Sequence, residues 1–393
     1  MRVVVAPDKF KGSLTAAQVA ERVAAGLTRA APGVDVVQVP VADGGDGTLE
    51  AALSAGYRRV PVRAEGPTGE PVDTAYAERD GVAVVELADV SGLRRLPGGR
   101  LAARAASSYG TGQVIRAALD VGCRRIVLGV GGSACTDGGA GMVQALGGRL
   151  RDARGAEVGR GGAALAAVES LDLTGLHPAL RQTEVVVASD VDNPLLGPRG
   201  AAAVYGPQKG ATPEVVKELD AALAHFADVV EEAVGRRLRD EPGAGAAGGT
   251  GFGLMAFCDA ELRPGVELAL DSLDADRVFE GACLVITAEG RLDSQTLAGK
   301  VPVGVARRAR RHGVPVVAVG GAVEPMGQAE AQRFRDDGIV AMCPSAETAA
   351  SEEALMDPGG TRQRLATTGE RIARLVDLGM HSRGSVTAST RTV

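Results

Sequence analysis

The chain opens with the pattern of a strand, a helix and a second strand, which constrains the fold more than any other feature. Val3–Val5 and Val34–Val39 are apolar runs of strand length, and Thr15–Ala30 has apolar residues at helical spacing. Strand–helix–strand units favour a parallel sheet. The alternation returns near the end of the chain, where Val314–Val319 and Gly338–Met342 are predicted strands. We therefore predict an α/β fold in which both ends of the chain contribute to one sheet.

The segment between these regions has a different periodicity. Apolar residues recur at every second position in Arg59–Ala64, Val72–Arg79 and Val82–Leu87, which indicates the strands of a meander. We predict two domains: a doubly wound, Rossmann-like parallel-sheet domain of residues 1–64 and 285–378, and a second α/β domain inserted in it at residues 65–284. Residues 379–393 form the tail, which lacks an apolar pattern and is predicted to be disordered.

The composition argues against several classes of protein and site. The formal net charge is −6 and no Lys/Arg-rich block stands out against it, which argues against non-specific nucleic-acid binding. The five cysteines are scattered without a CxxC pair, so neither a structural zinc site nor a disulfide framework is expected. No apolar run approaches the ~18 residues of a membrane span, and the N-terminus lacks a signal-peptide core. We expect a cytoplasmic protein.

The segment Thr287–Lys300 (TAEGRLDSQTLAGK) carries the densest set of polar side chains after a predicted strand. Glu289, Arg291 and Asp293 stand at every second position, where the carboxyl end of a strand would place them in a ligand crevice. Carboxylates beside a guanidinium suit a metal ion and an anionic, phosphorylated ligand. The competing interpretation is a charged surface turn.

Two further polar loops follow the predicted strands at the start of the chain. The first contains Lys9, Lys11 and Ser13 just before a helix, and a helix N-terminus with lysines nearby suits an anion. Its alternative is an N-cap with solvated lysines. The second loop, Asp43–Gly47 (DGGDG), has two carboxylates among glycines, which suits Mg²⁺. Its alternative is a turn in which an aspartate caps a helix.

Glycine-rich loops in the middle of the chain suggest phosphate binding through backbone amides. Gly129–Ala134 matches GxGxxA, which alone is a weak sign of dinucleotide binding. That motif also needs an acid at the end of a second strand, and Asp152, at about the right distance, lies in an unpatterned stretch instead. We therefore discount NAD. Gly131, Gly132 and Ser133 are instead predicted to contact the phosphates of a cofactor. In the second glycine-rich loop, Pro242–Gly253, the predicted cofactor contacts are Gly249 and Gly251.

Three other polar side chains in the same part of the chain are candidates. Asp190 ends a strand and could be a general base or a metal ligand, with an Asx-turn as the structural alternative. Lys209, in the segment Gly206–Gly210, could meet a phosphate. Asp137 could touch a metal or cap a helix. Acidic and glycine-rich strand ends with interspersed lysines favour phosphoryl transfer, which needs Mg²⁺, phosphate contacts, positive charge and a base.

The motifs occur in the order found in a known enzyme family. The chain resembles the bacterial type-1 glycerate kinase family from about residue 2 to residue 375. The segments that carry the resemblance are Ala6–Leu14 (APDKFKGSL), Val41–Thr48 (VADGGDGT), Gly131–Ala134 (GGSA) with Asp137–Gly139 (DGG), Gly206–Ala211 (GPQKGA) and Glu289–Thr296 (EGRLDSQT).

The resemblance implies ATP-dependent phosphorylation of D-glycerate, with 2-phosphoglycerate as the product, in a cleft between two domains. ATP and Mg²⁺ are the implied cofactors, and glycerate and the nucleotide the implied small-molecule partners. The oligomeric state is left open. Two departures from the family pattern stand out: Ala288 replaces a usual glycine, and Cys135 replaces a usual alanine or threonine.

We assign provisional roles on this basis. Asp190, Arg291 and Lys11 are the predicted catalytic residues. Asp43, Asp293 and Glu289 are the predicted metal ligands, although which acid is the base and which hold metal stays open. Lys9, Lys11 and Lys209 are predicted to neutralise phosphate or carboxylate charge. The alternatives are a nucleotide-dependent oxidoreductase and a non-catalytic, two-lobed protein that binds a small molecule.

Overall fold

The structure, a computed structural model, describes residues 1–346 and 352–388. Within these ranges the chain alternates strands and helices in a mixed α/β arrangement with parallel sheets, which confirms the predicted fold class. None of the helices in the described ranges is both long enough and apolar enough to cross a membrane.

The strands of the described residues are short. In chain order they are β1 (Arg2–Val5), β2 (Asp35–Gln38), β3 (Arg58–Glu65), β4 (Pro71–Arg79), β5 (Val82–Glu86), β6 (Arg125–Gly129), β7 (Arg149–Arg151), β8 (Ser170–Asp172), β9 (Glu184–Ala188), β10 (Glu261–Arg263), β11 (Leu284–Leu292), β12 (Val316–Val323) and β13 (Ile339–Pro344).

The helices of the described residues vary from a single turn to several turns. In chain order they are α1 (Ala16–Ala30), α2 (Thr48–Ser54), α3 (Ala88–Ser91), α4 (Tyr109–Asp120), α5 (Ala140–Ala145), α6 (Ala201–Tyr205), α7 (Pro213–Val234), α8 (Ala246–Cys258), α9 (Gly265–Ser272), α10 (Ala275–Phe279), α11 (Val301–Arg311), α12 (Gln328–Asp336), α13 (Glu352–Met356) and α14 (Pro358–Ala388).

The chain divides into two compact units. The first unit is Met1–Ala42 with Ala269–Val393, and the second is Asp43–Leu268. The boundaries predicted from the sequence were residues 64 and 285, so residues 43–64 group with the second unit and residues 269–284 with the first. The difference at the first boundary arises because Leu49 packs in the same apolar cluster as Val127 and Val186 of the second unit.

The first unit contains a five-stranded sheet with the order β13-β12-β11-β1-β2, and all of its pairings are parallel. From β1 the chain moves to β2 on one side, whereas β11, β12 and β13 proceed in the opposite direction. The strand order therefore reverses between β1 and β11, a topological switch point. Helix α1 begins with a capping box, because the Thr15 hydroxyl accepts from Gln18 N–H and Gln18 Oε1 from Thr15 N–H.

The second unit contains a six-stranded sheet with the order β10-β9-β6-β5-β4-β3. The pairings among β5, β6, β9 and β10 are parallel, whereas β3, β4 and β5 form the predicted meander of antiparallel strands. The carboxyl ends of β6 and β9 lie side by side, because Gly129 and Ala188 are paired in register. A polar loop after each of these strands therefore opens at the same edge of the sheet.

Three sequence predictions are refined by the structure. The predicted loop Pro242–Gly253 ends near Gly249, because Ala247, Gly248 and Gly249 have positive φ angles outside the helical region, and the regular turns of α8 follow from Thr250. Strand β11 continues to Leu292, so Glu289 and Arg291 lie on the strand rather than after it. Helix α14 extends to Ala388 and so includes residues 379–388 of the predicted tail, whereas residues 389–393 lie outside the described residues; the disorder of the tail stays a prediction.

Candidate functional site

A pocket of about 220 Å³ in the second unit opens beside the carboxyl ends of β6 and β9. It brings together predicted residues from four separate parts of the sequence. Its predicted lining residues are Asp43, Gly131, Gly132, Ser133, Asp190 and Lys209, and the lining side chains that sequence reasoning missed include Ser189, Tyr205 and Gln208.

Asp190 is held at the mouth of this pocket by the start of a helix. Its Oδ1 accepts a hydrogen bond of 2.8 Å from the backbone N–H of Gly265, the first residue of α9. Although the residue is partly open to solvent, surrounding protein displaces water from the carboxylate, and this desolvation raises the Asp190 pKa to about 6; the negative charge of Asp43 adds to the rise. A carboxylate of this pKa is ionised at pH 7 and still accepts a proton readily.

The loop that carries Asp43 packs tightly against the end of β6. Gly131 N–H donates to the Gly44 carbonyl at 3.1 Å, and a Cβ on Gly131 would lie 2.6 Å from the Cα of Gly45. Asp43 Oδ1 accepts from Gly45 N–H at 3.1 Å, which closes an Asx-turn. Close backbone packing therefore explains the glycine at 131, and its N–H group is engaged within the protein.

A buried carboxylate that the sequence analysis missed fixes the rest of this loop. Glu86, at the end of β5, is only 2% exposed, and its Oε2 accepts from the N–H groups of Gly47 and Leu49 at the start of α2. Arg94 donates to the other carboxylate oxygen at 2.7 Å. Burial raises the Glu86 pKa, while the Leu49 N–H and Arg94 oppose the rise. The sequence feature that could have identified Glu86 is its position as an acid near the end of the predicted strand Val82–Leu87.

Lys209 is the buried cation of the pocket. The residue is 1% exposed, and its Nζ donates to Ser133 Oγ at 2.8 Å and to the Cys135 carbonyl at 2.5 Å. Burial lowers the pKa of the ammonium, which the nearby Asp137 partly offsets. Because Ser133 Oγ accepts from Lys209, its own O–H can donate to a ligand. The pair supplies positive charge and a donor to an anionic group in the pocket.

Asp137 has a structural role rather than contact with the pocket. It is fully buried and accepts hydrogen bonds from the Ser108 N–H and from the N–H groups of Gly139 and Gly141 at the start of α5. Of the two alternatives for this residue, the helix cap is therefore the one observed. The neighbouring Cys135 is also buried, which raises its pKa to about 12, so this departure from the family pattern adds no charge.

The two predicted cofactor glycines of α8 lie outside the pocket lining. A Cβ on Gly249 would be 2.9 Å from the Cα of Gly138, and one on Gly251 would be 2.2 Å from the Gly243 carbonyl. These glycines let backbone segments approach each other. The pocket is lined instead by the preceding Ala246 and Ala247 at the start of the helix.

Tyr205 and Gln208 belong to the segment around Lys209, and the sequence offered no spacing that singled them out. The Tyr205 hydroxyl donates to Asn193 Oδ1 at 2.6 Å. Burial raises the Tyr205 pKa, with Asp192 adding to the rise, so the phenol stays protonated at neutral pH. Tyr205 and Gln208 extend the polar lining of the pocket with neutral groups.

The acids of Thr287–Lys300 are engaged within the first unit. Glu289 forms an ion pair of 3.1 Å with Lys300 and accepts from the Thr296 hydroxyl; burial raises its pKa, and Lys300 opposes the rise. Asp293 caps the 3₁₀ helix Ser294–Ala298 by accepting from the N–H of Gln295 and Thr296. Ala288 lies in regular strand geometry outside the positive-φ region, so its replacement of a glycine leaves the strand unstrained.

Lys11, Ser13 and Arg291 line a second pocket, which lies in the first unit. Thr15 caps α1, so Ser13 is not the N-cap, and its hydroxyl is buried with no hydrogen-bond partner among the described residues. Arg291 forms an ion pair of 2.8 Å with Glu324. Lys9 is not part of this lining; its ammonium lies 4.0 Å from the Asp8 carboxylate.

Magnesium in proteins is often bound by one or two carboxylates, with waters and substrate phosphates completing the shell. No group of three His, Cys, Asp or Glu side chains in the described ranges could hold a metal by itself. Asp43 and Asp190 line the same pocket and repel each other, as the raised Asp190 pKa indicates. A divalent cation would relieve that repulsion, so this pair fits Mg²⁺. Metal binding by Glu289 and Asp293 stays a prediction.

Comparisons with known proteins agree with the motif resemblance. A model of the glycerate kinase family matches residues 3–377. The glycerate kinase of Bacillus subtilis is 47% identical over 326 residues, which cover 82% of this chain and 85% of the relative. The glycerate 2-kinase of Escherichia coli is 45% identical over 327 residues, or 82% and 86% of the two chains.

A solved structure supports the same relationship. A crystal structure from Salmonella typhimurium LT2, described as a candidate glycerate kinase 2, matches with a TM-score of 0.85 and 41% sequence identity. The match covers 97% of this chain and 99% of the other. The resemblance inferred from the sequence motifs is therefore confirmed.

Proposed function

The chain belongs to the glycerate kinase family, and from this premise we propose that it transfers the terminal phosphoryl group of Mg-ATP to D-glycerate. The E. coli relative is named a glycerate 2-kinase, which supports 2-phosphoglycerate as the product. Membership in a kinase family favours this activity over a nucleotide-dependent oxidoreductase and over a protein without catalysis.

One observation carries the proposal: Asp190, with a pKa raised to about 6, lines the same pocket as the buried Lys209. Phosphoryl transfer to an alcohol needs a group that accepts or orients the hydroxyl proton and positive charge that neutralises the anions. Asp190 would accept the proton of the glycerate hydroxyl. Lys209 and the Ser133 hydroxyl that it orients would bind the carboxylate of glycerate.

Asp43 would hold Mg²⁺ together with oxygens of the substrates, as the charge repulsion between Asp43 and Asp190 supports. When bound, the metal supplies charge neutralisation at the phosphates. Lys11 and Arg291 would neutralise the negative charge of the nucleotide from the first unit, where they line one pocket. Lys9 would add positive charge from the same loop.

The substitution Asp190→Asn tests the role of the base with little change in shape. The amide oxygen can still accept from Gly265 N–H, but it cannot take a proton at neutral pH. We expect kcat for glycerate phosphorylation to fall by about 10²–10⁴-fold, the usual contribution of a general base, with an unchanged circular dichroism spectrum.

A matched control is available on the same loop. Asp192 is separated from Asp190 by one residue, its side chain is 78% exposed and its partner is Arg199. Asp192→Asn should therefore keep a kcat within about twofold of the wild type, since exposed ion pairs contribute little. If Asp190→Asn turned over at the rate of the Asp192→Asn control, Asp190 would not be the base.

A further inference from the structure

The pocket of the first unit lies where an open parallel sheet binds its ligands. It has a volume of about 190 Å³ and is bordered by Phe10 after β1, Gly290 of β11, Gly321 of β12 and Ser345 after β13. These positions are at the carboxyl ends of neighbouring strands, at the point where the strand order reverses between β1 and β11. In doubly wound sheets this switch point forms the ligand crevice.

The charged side chains that line this pocket are all cationic. Lys11, Arg291 and Arg364 contribute to the lining, and no carboxylate does so among the described residues. Two of the cations have recorded partners: Arg291 pairs with Glu324 at 2.8 Å, and Arg364 donates to the Thr361 hydroxyl at 2.7 Å. This lining suits an anion with several oxygens, because guanidinium groups bind phosphates with two parallel hydrogen bonds.

Two buried hydroxyls in the lining have no hydrogen-bond partner within the described part of the chain. They are Ser13 Oγ and Ser345 Oγ, and Ser345 is only 9% exposed. Buried hydroxyls without partners are rare, because burial removes their hydrogen bonds with water. A ligand in the pocket that carries donors or acceptors would satisfy both groups.

The remaining walls are apolar or flat. Phe10, Leu355 and Met356 present apolar side chains to the pocket. Gly321 must be glycine because a Cβ there would lie 2.4 Å from the Gly290 carbonyl, so bare backbone forms another wall. Glycerate has no apolar portion to match these surfaces, whereas a nucleotide has both a flat ring and a chain of phosphates.

We propose that this pocket binds the nucleotide, with its base against Phe10, Leu355 and Met356 and its phosphate chain on Arg364, Lys11 and the hydroxyls of Ser13 and Ser345. The inference rests on the proposed function and deepens it, since it assigns the nucleotide to the first unit. It adds Arg364 and Ser345, which no sequence motif singled out, to the residues that bind substrate.

The decisive variant is Arg364→Gln, which removes the charge from a half-buried side chain of the lining. We expect its Kd for ATP, measured by isothermal titration calorimetry without glycerate, to rise about tenfold or more, since one charged hydrogen bond lost to phosphate has an effect of that order. The KM for ATP should rise in parallel, and the KM for glycerate should stay within about twofold. Arg371→Gln, an exposed site on the same helix outside the pocket lining, is the matched control and should bind ATP as the wild type does.

Separate probes distinguish the two ends of the nucleotide. Arg364→Gln should weaken the binding of tripolyphosphate but leave the binding of adenosine unchanged. Met356→Asp should weaken the binding of adenosine. If Arg364→Gln fails to fold, Ser345→Ala replaces it as the milder variant and should weaken ATP binding by about threefold or more. Unchanged ATP affinity in a folded variant, or a shift confined to glycerate, would overturn the assignment. Because the titrations need no turnover, they test the pocket even if the wild type fails to phosphorylate glycerate.

Discussion

At the scale of single residues, the candidate site depends on a few side chains whose charge is set by their surroundings. Asp190 is the clearest case, because desolvation raises its pKa to about 6 and Asp43 adds to the rise. Lys209 is the opposite case, a buried cation with a lowered pKa. The sequence predicted both residues from their motifs, but the pKa shifts depend on burial, which no local spacing reveals.

The raised Asp190 pKa predicts the acid side of the pH profile. A base must be ionised to accept a proton, so activity should be lost as pH falls through the pKa of the free enzyme. We expect log kcat/KM for glycerate to be level near pH 7.5 and to decline with unit slope below about pH 6. Steady-state rates in buffers of constant ionic strength measure this.

A metal ion at Asp43 would lower the Asp190 pKa, so the direct check is an NMR titration of the Asp190 carboxyl group without Mg²⁺ and ATP. A pKa near 4 there, the ordinary range of an aspartate, would contradict the desolvated state of Asp190. The comparison is the pH profile of kcat/KM for ATP, measured at saturating glycerate. Glycerate bound at Asp190 should shift the acid side of that profile.

At the scale of elements, the first residue of α9 positions both acids of the pocket. Gly265 N–H donates to Asp190, and a Cβ at this position would lie 2.0 Å from the carbonyl oxygen of Asp43. The start of the helix therefore packs directly on the backbone that carries Asp43. The sequence analysis missed Gly265, because its importance comes from two partners that are distant along the chain.

The substitution Gly265→Ala tests this packing. The added methyl group must displace the Asp43 loop, so we expect the free energy of unfolding to fall by about 1–3 kcal/mol, as for other overpacked sites, and kcat/KM to fall about tenfold or more as the acids move. Urea denaturation and steady-state kinetics measure the two effects.

Gly159→Ala is the matched control in the same unit, because a Cβ there meets no heavy atom within 4 Å. It should leave the kinetics unchanged. Equal behaviour of Gly265→Ala and Gly159→Ala would show that the acids do not depend on the start of α9.

The elements themselves differed in how well the sequence predicted them. The meander strands β3, β4 and β5 were found because the spacing of their apolar residues shifts toward a period of two between turn sequences. The end of the glycine-rich loop before α8 was predicted a few residues too late, at Gly253, because glycines and burial on most sides remove the amphipathic pattern that would mark the start of the helix. Gly249 and Gly251 let neighbouring backbone segments approach closely. In sequence, glycines with this role look the same as glycines of a ligand-binding loop.

At the scale of the whole molecule, the order of strands in each sheet could not be predicted from local pattern. Strand β1 pairs with β11, which follows it by more than two hundred residues, and this pairing creates the switch point in the first unit. The motifs nevertheless identified the family, because several long segments occur in a fixed order. Glu86 supports the site through contacts with the start of α2 and with Arg94, and an acid at the end of a predicted strand is a weak signal beside those motifs.

We propose that this chain phosphorylates glycerate on its 2-hydroxyl, and phosphorus NMR of the product can test that position and the activity together. The wild-type protein is incubated with D-glycerate and Mg-ATP, and the proton-coupled ³¹P spectrum is recorded. We expect ADP and a new phosphomonoester signal split into a doublet, because the phosphate-bearing carbon of 2-phosphoglycerate carries a single hydrogen. A triplet would contradict the position, and the absence of any glycerate-dependent phosphomonoester would contradict the proposed activity.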